Sequence, residues 1–541
     1  MVRQKILKKL AWTIGGISVA MLGIRAHGLE TSVGEAGIDA RRLHAPPYDL
    51  IGRKIAIGAV DIGRPRQFGL DKKIPGLSKI PIARVFFQDG PPVADSDSES
   101  SEKRAEQHAE QVASVMVGTD KALTGVAPGA KLYAAGVGQS GEGGQAEECL
   151  AAQNLAEQNG GDLRAINFSF GESLRQDPRA DAVLDGLALL TLCVDWSART
   201  HDVLYGIAGN QGGGGIPIPT DNFNGVNVAF STQDDKGSFS KVDLANVGTI
   251  FSGVFRRLIG KESNIDGRRL VALVAPGSNL ELMTMDGRTT RTSGTSFATP
   301  HVTATVALLQ EFGDRQIRQK LSKWTLDARR HEVMKAVLIN STDKIKDRGD
   351  GLRLGMTRDL LAPGKRNWLN SKAYQDPELP LDGELGSGHL NAYRAYKQFS
   401  AGQWGPDAPV PPLGWDYRTV SEKSERDYIL EQPLKEGSFV AITLAWDRLV
   451  ELDDDNDNER YDAGENFVDR GLNDLDVYLM PADEDEEEQS VWSSVSKIDS
   501  SEHIFYRIPK TGRYKIRVKY KKRVNEETQP YAIAWWTVPA R

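Results

Sequence analysis

From about residue 50 to 310 the chain alternates short apolar runs with longer segments in which apolar positions recur at helical spacing. The runs lie near 54–61, 131–137, 164–169, 203–209 and 270–275, and the helical periods near 108–118, 146–158, 180–199 and 297–312. Unbroken apolar runs are what strands covered on both faces require, and their alternation with helices predicts an α/β unit: a parallel sheet with helices on both sides. Residues 329–345 predict one more amphipathic helix, and the segment 385–393 closes this unit near residue 400. The pattern then changes. A Pro/Gly-rich stretch places a linker at 401–412, and the segments 438–446, 475–479, 503–508, 514–520 and 531–538 are short, mostly alternating strands with no helical period between them. That predicts an all-β sandwich over 413–541.

Several chemistry-bearing residues sit at the ends of these elements. Gly294-Thr-Ser296-Phe-Ala-Thr-Pro300-His-Val302 opens a helical run just after a strand-and-turn segment. A hydroxyl there lies in the positive end of the helix dipole, small neighbours let another backbone approach, and Pro300 suits an early helical position. Ser296 can therefore be a nucleophile, although Thr295 or Ser296 could equally cap a helix. A nucleophilic serine needs a base and the base an orienting group. Lys54-Ile-Ala-Ile-Gly-Ala-Val-Asp61-Ile-Gly63 carries Asp61 at the tip of an apolar run, where open parallel sheets place functional groups; a plain turn is the alternative. His108 stands at the mouth of the helix predicted at 108–118. Val203-Leu-Tyr-Gly-Ile-Ala208-Gly209-Asn210 leads into a glycine run, and Ala165-Ile-Asn-Phe-Ser169-Phe170-Gly171 is a further strand end.

Taken together and in order, these five segments resemble the motifs of the subtilisin-like serine proteases (subtilases, peptidase family S8). Leu123-Thr-Gly-Val-Ala-Pro-Gly-Ala-Lys-Leu-Tyr133 is similar to the loop and strand that follow the family's histidine. The resemblance implies a subtilisin-like fold and the Asp, His, Ser order of that family's triad, here Asp61, His108 and Ser296. It implies Asn210 and the Ser296 amide as oxyanion donors. Ser169, Phe170 and Gly171 would form one wall of a specificity pocket, with Ala208 and Gly209 opposite. A substrate strand would lie along 169–171 by main-chain pairing, and the small wall residues suggest room for sizeable apolar side chains. One departure stands out: the family's His-Gly-Thr-His becomes His108-Ala109-Glu110-Gln111. The family usually also carries an inhibitory prodomain, for which residues 29–50 are too few. The reading is thus a secreted serine endopeptidase acting through an acyl-enzyme, with a catalytic unit over 29–400 and a jelly-roll-like sandwich. A catalytically silent binding or surface protein on the same scaffold is the alternative.

Composition narrows this only slightly. With 541 residues, 40% hydrophobic, 26% charged and a net charge of −7, the chain reads as an ordinary soluble protein, expected as a monomer with protein or peptide substrates and no nucleic-acid partner. Arg3, Lys5, Lys8 and Lys9 precede an uncharged stretch at 10–24, then Ala26 and Gly28. This is the layout of a signal peptide over 1–28, too short an apolar stretch to span a bilayer, and it implies a secreted or periplasmic protein with no membrane contact once removed. An uncleaved anchor is the alternative. Cys149 and Cys193 lie on two predicted core helices and read as small buried hydrophobes, with a disulfide open in an oxidising compartment. The chemistry needs no cofactor. Asp454, Asn456, Asn458, Asp462 and Glu465 stand at the offsets of a calcium loop, but Glu459 replaces its glycine, so a structural calcium ion and a solvated acidic loop both remain open. Residues 64–107 read as an insertion whose acidic part, 95–106, is expected as a mobile loop near the cleft.

Overall fold

The computed structural model describes residues 29–65, 82–87, 93–94, 105–121, 123–137, 144–210, 217–242 and 264–540, with backbone only for 82–87 and 93–94. The expected signal segment 1–28, the acidic stretch 95–104 and the glycine run 211–215 lie outside the described residues.

Apolar side chains alternate between two cores because strand side chains alternate between two faces. In β1 (Ala56–Ile62), Ile57 and Ala59 join one buried cluster while Ala56 and Val60 join the other. With β2 (Ile82–Phe87), β3 (Val93–Ala94), β4 (Lys131–Val137), β5 (Leu163–Phe168), β6 (Leu204–Ala208), β7 (Val226–Gln233) and β8 (Phe239–Lys241), β1 forms a sheet in the order β8-β7-β6-β5-β1-β4-β2-β3. The strand β9 (Leu273–Pro276) pairs parallel to β7, and Leu360–Leu361 extends the β8 edge. The interior pairs are parallel, whereas β8 and β3 run antiparallel to their neighbours.

Helices cover both faces, as the unbroken apolar runs require. On one side lie α1 (Gln107–Val117), α4 (Thr295–Arg318) and α5 (His331–Asn340), and on the other α2 (Gln145–Ala156) and α3 (Leu189–His201). The helical period expected from 180 starts only at Leu189. Before it, Arg179 is held by Asp177 and Asp185, and Asp181 and Gly186 take positive φ, so local side-chain hydrogen bonds compete with helix over 177–188. Cys149 on α2 and Cys193 on α3 form a disulfide with a Cα separation of 5.8 Å, which corrects their reading as free buried hydrophobes. Residues 29–50 pack into the main core through Leu29, Val33, Ile38, Leu43 and Leu50.

Beyond residue 400 the expected sandwich is present. One four-stranded antiparallel sheet contains Leu413–Ser421, Thr528–Trp536, Phe439–Ala445 and Ser501–Arg507. The other contains Glu425–Ile429, Tyr514–Lys522, Asp474–Pro481 and Trp492–Ser494. Val440, Ile442, Val477, Ile504, Ile516, Val518 and Ile533 from the two sheets share one core. The stretch expected as a linker is docked: Gln403 hydrogen-bonds Asp327 and Asp416, and Val410 enters the sandwich core.

The two units are welded rather than tethered. The helix expected to be amphipathic, α5, is buried on every side, between the first unit's core and Trp415, Ala445, Ala532 and Ala534 of the sandwich. Arg448 of the sandwich, about 1% exposed, reaches Asp195 on α3 with Nη2–Oδ2 2.5 Å and Nε–Oδ2 3.0 Å. Phe223 lies between the guanidinium groups of Arg268 and Arg448, 3.6 and 4.2 Å from its ring centre. In the acidic loop, Asp454 accepts the backbone N–H groups of Asn456, Asn458 and Glu459, and Glu465 those of Asp455 and Asp462. Asp454 and Glu465 are therefore engaged with the loop's own backbone, and Asp462 with the side-chain amides of Asn456 and Asn458.

Candidate active site

Asp61 is the sixth residue of β1, buried at the strand's C-terminal end, where it faces the start of α1. Its carboxylate meets His108 Nδ1 at 2.8 Å through Oδ1 and 3.0 Å through Oδ2. Oδ1 also accepts the N–H of Ile62 at 2.7 Å, so the carboxylate is held by its own backbone as well as by the imidazole. His108 sits in the first turn of α1. Gln107, the residue before it, exchanges hydrogen bonds with Met283 and Met285, which anchors the mouth of the helix to the hairpin beside α4. Burial pulls the imidazole toward its neutral form, but the charge and hydrogen bond of Asp61, helped by Glu106, outweigh it and hold the pKa above its ordinary value. Ala109, Glu110 and Gln111, the residues that depart from the motif, are buried within α1.

Ser296 is the second residue of α4, where the first N–H groups, its own among them, have no acceptor inside the helix. Phe297 packs on the imidazole of His108 with ring centres 5.3 Å apart, which brings the serine's helix turn against the Asp61–His108 pair. The Ser296 hydroxyl donates to the Ser169 carbonyl at 3.0 Å, and Ser169 Oγ donates back to the Ser296 carbonyl at 2.7 Å. No hydrogen bond joins Ser296 Oγ to His108. The second half of the exchange has a local cause. Pro300, four residues on, lacks the N–H that would take the Ser296 carbonyl, and Ser169 takes it instead. Asn167 Nδ2 donates to Ser169 Oγ at 2.7 Å, and Thr303 Oγ1 reaches Asn167 at 3.5 Å, so a buried polar chain ties β5 to α4. Nothing in the spacing of Asn167, Ser169 and Thr303 announced this chain, because its members come from different elements.

The residues expected as pocket walls lie at adjacent strand ends: β5 and β6 pair in parallel up to Phe168 opposite Ile207, with Ser169–Gly171 and Ala208–Asn210 just beyond. Ser169, Ala208 and Asn210 are buried. Phe170 turns its ring inward, stacked on Phe168 at 5.2 Å.

A family model described as the subtilase family matches residues 52–357, more than half of the chain and all of the elements that carry these groups. The chain belongs to the subtilase family. Among curated proteins, this subtilase is 29% identical over 206 residues to a thermostable alkaline protease of Halalkalibacterium halodurans, a match covering 37% of the chain and 46% of that protein. To subtilisin Savinase of Lederbergia lenta it is 27% identical over 251 residues, covering 45% of the chain and 76% of that protein. The subtilase thus spans about half the length of the first of these relatives. Two solved structures resemble it: the prenylagaramide maturation protease PagA (19% identity, TM-score 0.39, 64% of this chain and 93% of that one) and a protease of Pseudoalteromonas arctica (16%, 0.40, 69% and 97%).

Proposed function

We propose that this subtilase is a serine endopeptidase. The observation that carries the reading is the half-buried His108, paired to the buried Asp61 and set against a helix N-terminus that presents Ser296. His108 takes the proton of Ser296 as the hydroxyl attacks a peptide carbonyl, while Asp61 fixes the tautomer and stabilises the imidazolium. Asn210 and the Ser296 amide bind the oxyanion, and water then cleaves the acyl-enzyme by the same groups. In the resting arrangement the Ser296 hydroxyl occupies the Ser169 carbonyl. A substrate strand laid along 169–171 would donate its own N–H to that carbonyl and release the hydroxyl toward His108, so substrate itself completes the reacting pair.

The basic, apolar and small-residue order of the first 28 residues supports export, with a catalytic unit over 29–400 and a linker at 401–412. Among the described residues no helix is long and apolar enough to cross a membrane. The two four-stranded sheets of 413–541 support a jelly-roll-like domain. A structural calcium ion at 454–465 would use lone pairs of Asp454 and Glu465 that the backbone N–H groups leave open. A fluorophosphonate probe tests the central reading: it labels the wild type at Ser296 and leaves Ser296→Ala unlabelled. Folded wild type that takes no label refutes it and leaves the silent scaffold standing.

A further inference from the structure

The junction between the two units carries a second cluster that the proteolytic reading does not use. Asp202, at the end of α3, and His331 and Glu332, at the start of α5, each offer a donor atom within 4.8 Å of the others. His331 Nδ1 lies 2.9 Å from Asp202 Oδ1 and 3.2 Å from Glu332 Oε2. Bonds of about 2.0–2.2 Å to a tetrahedral ion put neighbouring donors roughly 3.3–3.6 Å apart, so the two His331 pairs need to open by a few tenths of an ångström, while Asp202 and Glu332 stand within 4.8 Å of each other. On the other side of the ring, His331 Nε2 meets Asp447 Oδ2 of the sandwich at 2.9 Å. A carboxylate holding the distal ring nitrogen is the usual support of a metal-binding histidine, because it fixes the tautomer and leaves the other nitrogen's lone pair for the ion.

Two further observations point to a ligand. Glu332 Oε2, on a residue 5% exposed, accepts no hydrogen bond and has only the His331 Nδ1 contact at 3.2 Å. A buried carboxylate oxygen that accepts no hydrogen bond carries a desolvation cost that a bound cation would remove. The charges agree in sign. Asp202, Glu332 and Asp447 outnumber the basic groups beside them, Arg330, 3.5 Å from Asp202, and the buried Lys335, one turn along α5. An ion at Nδ1 would displace the proton that His331 shares with Asp202 and Glu332, and with that proton gone the cluster is net negative. Asp202, about a third exposed, gives an entry path from solvent.

We propose that Asp202, His331 and Glu332 form a site for a divalent transition-metal ion of the zinc class, with Asp447 as the residue that positions His331. One nitrogen and two carboxylate oxygens suit such an ion better than calcium or magnesium, which take oxygen donors. The bound ion bridges α3 and α5, and through Asp447 it braces the first unit against the sandwich.

The test uses the full chain stripped with a chelator and then titrated with Zn²⁺ by calorimetry, with melting followed at each ratio and Co²⁺ as a spectroscopic stand-in. One equivalent of Zn²⁺ binds, the melting temperature rises by several degrees, and Co²⁺ gives the visible bands of a tetrahedral ion. Glu332→Gln and His331→Gln each weaken binding tenfold or more, Asp447→Asn weakens it about 10–100-fold, and Asp454→Asn in the acidic loop leaves it unchanged. Lack of a saturable site in the wild type, or binding that survives both ligand variants, overturns the proposal and leaves a proton shared between His331 and its carboxylates as the only occupant. Should neither variant fold, the wild-type Co²⁺ spectrum decides, and missing tetrahedral bands overturn it.

Discussion

At the scale of single residues, the proposed chemistry rests on how His108 is held. Asp61 and Glu106 outweigh burial and keep the imidazole pKa above 6.5, so the base form needed for attack is reached only as pH rises through that elevated value. The acid limb of a kcat/KM profile should therefore be displaced upward from that of an ordinary histidine, and should fall when Glu106→Gln removes one of the charges that hold it there. The stability consequence has the opposite sense. A histidine whose folded pKa is raised contributes fully below its unfolded value and loses that contribution as pH climbs through the folded one. Removal of the Asn210 amide should cost about 10²–10³ in turnover with little change in KM, the loss that follows removal of a side-chain oxyanion donor from a subtilisin. Single-turnover kinetics of Asn210→Ala checks this. The triad candidates were legible in the chain because each carries its own local context: a strand tip, a helix mouth, a helix start. The pairing of Ser169 with Ser296 was not, because it depends on two strand and helix ends meeting across the fold.

At the scale of elements, α4 decides where Ser296 stands, and the sheet decides where α4 lies. Gly206 in β6 has no room for a side chain: a Cβ there would come within 2.5 Å of Thr303 Oγ1 and 3.3 Å of Thr299 Cγ2. Gly206→Ala should push α4 off the sheet, cost about 1–3 kcal/mol in stability and lower turnover as Ser296 shifts from His108. Denaturant unfolding and kinetics of this variant test both halves. Ser169→Ala leaves the Ser296 carbonyl, already deprived of its helical partner by Pro300, buried without a donor, at a cost of about 1–3 kcal/mol. Strand and helix periods predicted these elements well where the apolar pattern was continuous. They failed over 180–188, where Asp177 and Asp185 recruit Arg179, and for α5, whose polar-looking positions are all covered by the sandwich. Both failures come from partners that are distant in sequence or that compete with the helix ladder.

At the scale of the whole molecule, the two units should unfold together. Arg448→Ala strands the buried Asp195 carboxylate at their interface, a change worth about 3–5 kcal/mol, and scanning calorimetry should then resolve two transitions in place of one. The Cys149–Cys193 disulfide closes a loop of 44 residues within the first unit, which in the chain-entropy picture is worth about 4 kcal/mol. A Cys149→Ser/Cys193→Ser variant should melt well below the wild type and become indifferent to reductant. Alternating apolar runs and periods carry enough information for the sheet, its covering helices and the later sandwich, because burial on two faces or on one leaves a different trace along a chain. The motif residues likewise bring their own surroundings with them, so Asp61, His108, Asn210 and Ser296 could be picked out before any fold was in view. Only the folded chain decided that two cysteines would bond, that the linker would dock, and that Asp202, His331, Glu332 and Asp447 would meet at one junction. Contacts of that kind depend on distance in space between elements, and periodicity along a sequence reports only which face each residue turns inward.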